Sequence, residues 1–141
     1  MYLFSLAAAL CAIGCILVHY ECLRLISGSA AHLSVAPRQR IVYVVAGSLV
    51  SHIIQILIFA LLLWLLSVSV NEEVFGTGIP VSFQQSLYVS FESYASLGSS
   101  NALPFGPLRI FIGVEGLSGL VVIGWTSAFT YWCMTQYWND H

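Results

Sequence analysis

Four ionisable side chains fall inside stretches built mainly from apolar and small residues: His19, His52, Glu92 and Glu115. A charge held in hydrocarbon is costly, so such a group pairs, stays neutral, or borders a path for ions or protons. Helical rise puts His52 and Glu115 at similar heights on two long apolar runs, where they could pair and titrate near neutral pH as a proton-sensitive gate. A plain interhelical hydrogen bond is the simpler use of the two. His19 and His52 also share a depth, the arrangement of two axial haem ligands in a small bundle. Glu92 stands four residues before Ser96, which opens onto a polar segment from Leu97 to Gly106 that contains Gly and Pro. The chemistry on offer there belongs to the backbone, whose carbonyls can replace the hydration shell of an ion. No nucleophile and base are spaced for catalysis and no glycine loop cradles phosphate, so an enzyme is not expected. Cys11, Cys15, Cys22 and Cys133 fit neither a zinc site nor a redox pair, and Cys11 and Cys15 read as packing residues on one helix face.

The elements that must position these groups are set by composition. Of 141 residues, 59% are hydrophobic and 7% charged, against about 25% charged in a soluble domain. A bilayer core needs about 20 apolar helical residues per crossing. The charge-free stretches therefore predict three spans and one shorter dip: an N-terminal transmembrane helix over 1–27, a linker over 28–40 broken by Gly28 and Pro37, and a domain over 41–138. The N-terminal run lacks a basic start and reads as a retained helix rather than a secretory signal. There is no lysine, and the arginines are Arg24, Arg38, Arg40 and Arg109, which leaves no footprint for nucleic acid. Three of them fall in the short connection from Arg24 to Arg40. The positive-inside rule puts that connection in the cytoplasm, with the N-terminus outside and the C-terminus inside. Glu21 and Arg24 are spaced to pair where the first helix meets the headgroups.

Within the domain, the pattern predicts an outer helix over 41–70, then the breakers Gly76 to Pro80, then a helix over 82–95 opened by Ser82 and Gln85 as a capping box. That helix is too short to cross. A polar segment and a second long helix over 107–138 follow it. Helix, irregular backbone and helix at membrane depth form a re-entrant loop, which survives only if buried in protein or lining water. One subunit cannot satisfy such a loop alone, whereas several copies around an axis can. The expected fold is thus all-α integral membrane: three transmembrane helices plus a re-entrant pore helix and filter loop, assembled as a four-fold tetramer.

The segment Phe91-Glu92-Ser93-Tyr94-Ala95-Ser96-Leu97-Gly98-Ser99-Ser100-Asn101, followed by Leu103-Pro104-Phe105-Gly106-Pro107, resembles the pore loop of the potassium-channel family. The likeness covers about Ser82 to Phe129, with the outer helix before it, and the first helix lies outside the pattern. The family's filter is of the type Thr-Val-Gly-Tyr-Gly-Asp. Here Ser96 takes the place of threonine, Leu97 of valine and Gly98 of the first glycine, while Ser99, Ser100 and Asn101 replace tyrosine, the second glycine and aspartate. The resemblance implies a filter over 96–101 in which monovalent cations meet mainly the backbone carbonyls of Ser96, Leu97, Gly98 and Ser99. It implies support of that filter by Glu92 and Tyr94, with Asn101 or a filter N–H as the partner of Glu92. Loss of the second glycine removes a backbone freedom that residues with a Cβ lack, so the expected pore is weakly selective or non-selective between K+ and Na+.

Gly116 and Gly119 in the inner helix can bend for gating or let helices approach, and Phe129 can form an apolar constriction where the inner helices converge. The expected protein is a homotetrameric cation channel subunit of a bacterial inner membrane, with no cofactor and with lipid and permeant cations as its partners. The alternative is a non-conducting assembly or sensory protein that keeps the channel fold.

Overall fold

The computed structural model describes residues 2–70, 82–97, 106 and 108–139. Four helices account for nearly all of them: α1 (Tyr2–His32), α2 (Pro37–Val70), α3 (Phe83–Tyr94) and α4 (Leu108–Asn139). Three of these, α1, α2 and α4, are long and apolar enough to cross a membrane. Their outer faces carry Leu6, Leu10 and Leu17, Val42, Leu49 and Leu61, and Leu117, Leu120 and Val121, all exposed. A surface of that kind is stable only where hydrocarbon, not water, covers it. Among the described residues every regular element is a helix, and three of the four are built for a membrane.

The connection between the first two helices is shorter than expected. Helix α1 continues through Gly28 to His32, and α2 starts at Pro37, so only residues 33–36 lie between them rather than 28–40. The cause is local. Ser29 turns its hydroxyl back onto the carbonyls of Leu25 and Ile26 at 2.7 and 3.1 Å, which keeps it in the helix. Pro37 takes the first helical position, where its missing N–H costs nothing. Arg40 donates to the Leu33 carbonyl at 2.9 Å and lies over the ring of Tyr137, 5.6 Å from its centroid. That contact brings the α1–α2 connection and the end of α4 to one end of the bundle. The Glu21–Arg24 pair forms at 3.3 Å with both side chains exposed.

Apolar layers fill the bundle near both ends. One joins Ile26, Ala30, Val44 and Cys133, with Phe129 and Tyr137 against it. The other, at the far end, holds Ala8, Cys11, Cys15, Phe59, Leu63, Val89, Leu108 and Phe111, with the Phe59 and Phe111 rings edge to face at 5.7 Å. Helix α3 packs on α2 and α4 at this second end, beginning where Trp64 meets Phe83 at 6.1 Å. Its 12 residues extend about 18 Å, against a hydrocarbon core of about 30 Å.

The start of α3 is fixed by a capping box: Ser82 Oγ accepts from the Gln85 N–H at 3.2 Å, and Gln85 Oε1 accepts from the Ser82 N–H at 3.0 Å. Ser82→Ala is expected to cost about 1 kcal/mol and to speed amide exchange in the first turn of α3, while Ser82→Thr preserves both. Thermal unfolding in detergent with exchange mass spectrometry checks this; an unchanged first turn in Ser82→Ala would refute it.

Candidate functional site

Helix α3 ends against α4 by backbone approach. Ser93 donates to the Ile112 carbonyl at 2.8 Å. A Cβ on Gly116 would lie 3.2 Å from the Ser93 carbonyl oxygen, and one on Gly119 would run into the backbone of Tyr94, 2.9 Å from its carbonyl carbon and 3.1 Å from its Cα. Both glycines, expected as bending points or packing positions, thus seat the end of α3. The helix then closes with the Ser96 N–H on the Ser93 carbonyl and the Leu97 N–H on the Glu92 carbonyl, each at 2.9 Å. This double closure places the residue after the cap in the left-handed region, where glycine is usual. Here that residue is Ser96, at φ 54°. Ser96 and Leu97 both face outward, Leu97 with 75% of its surface exposed. Gly98, Ser99, Ser100 and Asn101 lie outside the described residues.

Glu92 sits half-buried on α3. Tyr88, one turn earlier, shares a hydrogen bond with its carboxylate, and that bond and the negative charge push the tyrosine pKa upward. The Glu92 Oε2 atom is buried and finds no partner among the described residues. Its expected brace, Asn101, is not among them.

Between the two apolar layers lies a polar one that draws on all four helices. His19 of α1 meets Ser51 Oγ and Gln55 Nε2 of α2, each 3.1 Å from its Nδ1. Gln55 Nε2 donates to the Ser51 carbonyl at 3.2 Å, and the Tyr94 hydroxyl donates to Gln55 Oε1 at 3.1 Å. His52 Nδ1 meets the Tyr94 hydroxyl at 2.9 Å. Thr126 of α4 places its Oγ1 3.2 Å from His19 Nε2 and 3.0 Å from His52 Nε2. His19, Ser51, Gln55 and Tyr94 are all nearly or wholly buried. Polar side chains pay for such burial only when bonded, and every member of this layer is.

The layer corrects two expectations from the sequence. His52 is not bonded to Glu115: its partners are Tyr94 and Thr126, whereas Glu115, wholly buried, accepts from Ser90 at 3.4 Å and keeps Oε1 unpaired among the described residues. Height along the helix was a fair guide, but rotation about the axis sends the two side chains to different neighbours. The two imidazoles do meet, with centroids 5.3 Å apart. One hydroxyl bridges them, however, so no macrocycle fits between as a haem would require. Among the described residues no group of three His, Cys, Asp or Glu is placed to hold a metal.

Phe129 does not stand alone at its end of the bundle. It stacks on Trp132 at 6.3 Å and lines a side pocket of about 280 Å³ with Tyr20, Leu23, Arg24, Ser27 and Trp125. Ser51, Gln55 and Thr126 carried no weight in the sequence reading. A signal was present: Ser51, His52 and Gln55 put three polar groups within two turns of an otherwise apolar span, which calls for partners on its neighbours. Comparison of the chain with protein-family models, curated proteins and solved structures returns no match.

Proposed function

We propose that the chain is one subunit of a homotetrameric pore for monovalent cations, weakly selective or non-selective between K+ and Na+. The observation that carries this reading is the placement of α3. A capped helix too short to cross is packed on two spans, turns sharply at Ser96 and leaves Leu97 uncovered. Backbone that turns at membrane depth needs either protein or water beside it, and neighbouring copies around an axis supply both. In this arrangement α3 is the pore helix of a re-entrant loop, and the carbonyls of Ser96, Leu97, Gly98 and Ser99 face the axis. Glu92 and Tyr94 hold the loop from behind. The chain then resides in a bacterial inner membrane, with the Arg38 and Arg40 end in the cytoplasm and the N-terminus outside.

Cation flux into liposomes tests this, comparing K+ with Na+ and the wild type with Gly98→Asp. Both ions are expected to pass, and Gly98→Asp is expected to abolish or redirect the flux by placing a carboxylate in the row of carbonyls. Flux of K+ alone would keep the pore but refute weak selectivity. No flux of either ion from verified tetramers would overturn the reading in favour of a non-conducting protein that retains the fold.

A further inference from the structure

Five of the polar side chains form a closed circuit: Gln55, His19, Thr126, His52, Tyr94 and back to Gln55. Its direction follows from donor and acceptor rules. The Ser51 carbonyl can only accept, so the Gln55 amide turns its nitrogen toward Ser51 and His19, and its oxygen toward Tyr94. With the Gln55 amide donating to His19 Nδ1, the Ser51 hydroxyl, also 3.1 Å from that nitrogen, stands beside it as a second donor, and the ring proton of His19 sits on Nε2 and is donated to Thr126. On the other side, the single Tyr94 proton goes to Gln55, so Tyr94 must accept from His52 Nδ1–H. His52 Nε2 is then left bare and receives the Thr126 hydroxyl proton. Every donor is used once, and the circuit closes with both imidazoles neutral.

We propose that this circuit is a proton-released latch that ties α1 to the end of α3, closed when His19 and His52 are neutral and opened when either takes up a proton. A second proton on His19 lands on Nδ1, where it turns to Ser51 Oγ and displaces the Gln55 amide donor. On His52 it lands on Nε2, where the Thr126 hydroxyl proton already sits. Either way a hydrogen bond that closes the circuit is displaced, and the new charge lies in an apolar span where it draws in water or an anion. The two rings are in contact, so the charge of one also opposes protonation of the other. No fixed charge within the circuit compensates. From α2 the histidines face Ser51 and Gln55, which do not titrate; from α3 they face the Tyr94 phenol; from α4, Thr126 and Trp125. Glu115 of α4 bonds instead to Ser90, and the Cys15 thiol of α1 lies in the apolar layer. The far side of the latch is the end of α3: Tyr94 is followed by the closure at Ser96 and Leu97. Release of its hydroxyl removes the hydrogen-bonded link of that closure to Gln55 and His52 of α2, and through Gln55 to His19 of α1, while the Ser93 bond to α4 remains. The inference does not depend on whether the chain conducts.

The test uses the full chain in liposomes. Nitrogen NMR of labelled histidine in a His32→Gln, His141→Gln background reads the tautomers near pH 8 directly. The expected result is His19 protonated on Nε2 and His52 on Nδ1. Trp125 packs edge-on to His19 with centroids at 5.5 Å, and a protonated imidazole quenches an indole it touches. With Trp64, Trp132 and Trp138 changed to Phe, Trp125 emission is expected to fall between about pH 8 and about pH 4, and His19→Gln to remove that fall. The opposite tautomers, emission flat across the range, or a fall that persists in His19→Gln would each overturn the latch. The NMR arm uses wild-type ring residues, so it can refute the circuit on which the latch rests even if His19→Gln does not fold.

Discussion

Gly119→Val is expected to unfold the bundle or to lower its stability by about 3 kcal/mol or more, a larger loss than most single changes produce. The added Cβ would collide with the carbonyl of Tyr94 and approach its carbonyl carbon and Cα, all backbone atoms. A flexible side chain could swing aside; a helix end cannot. Two restraints hold that end in place: the Ser93 hydroxyl on the Ile112 carbonyl and the Tyr94 hydroxyl within the polar layer. Moving α3 to make room must break at least one of them and leave buried polar groups unpaired, which adds its own penalty of about 1–3 kcal/mol. Gly113→Val is the matched control, because nothing lies within 4 Å of its Cβ position. It should leave thermal unfolding in detergent unchanged. Equal tolerance of both substitutions would mean that α3 does not seat on α4 as described. Equal damage from both would mean that the fault lies in helix conformation rather than contact.

The contrast assigns different roles to the glycines of α4. Gly113, Gly116 and Gly119 recur every third residue, and spacing alone does not tell a hinge from a packing groove. The structure separates them: Gly116 and Gly119 meet the backbone of Ser93 and Tyr94, while Gly113 opens to space. A bend at Gly119 would therefore carry the end of α3 with it. If the chain forms a pore, motion of the inner helix is coupled to the turn at Ser96 by direct contact.

What could be read from the sequence depended on local chemistry. The three spans follow from hydropathy, the capping box from Ser82 and Gln85, and the Glu21–Arg24 pair from helical spacing; each needs only residues within a turn or two. The first connection was misjudged because Ser27, Gly28 and Ser29 look like breakers, whereas inside a membrane a serine hydroxyl bonded to its own helix lets the helix continue. The polar layer was beyond reach for a different reason. His19, Gln55, Tyr94 and Thr126 are up to 107 positions apart, and their meeting depends on the rotation of four helices about their axes. Helical rise fixes height and leaves rotation free. This is why His19 and His52 were rightly placed at one depth and His52 was wrongly joined to Glu115.

Thr126→Val tests that layer at its narrowest point. The substitution conserves shape, so it opens no cavity and removes only the hydroxyl. That hydroxyl is the one link between His19 Nε2 and His52 Nε2. Its loss strands a donor on one imidazole and an acceptor on the other, both in the bundle interior. Each orphaned group costs about 1–3 kcal/mol, so the two together should cost about 2–6 kcal/mol, part of it recovered if a water enters. Thr126→Ser keeps the hydroxyl and should stay within about 1 kcal/mol of the wild type, the methyl group being the only loss. Ser127→Ala supplies the baseline: its hydroxyl is exposed and bonded only to the Ile123 carbonyl of its own helix, and its removal should be nearly silent. Thermal and chemical unfolding of the three variants in one detergent rank them. A Thr126→Val protein as stable as Ser127→Ala would mean that the bridge between the histidines is not made. A large loss rescued by serine would show that the Thr126 hydroxyl joins His19 of α1 to His52 of α2.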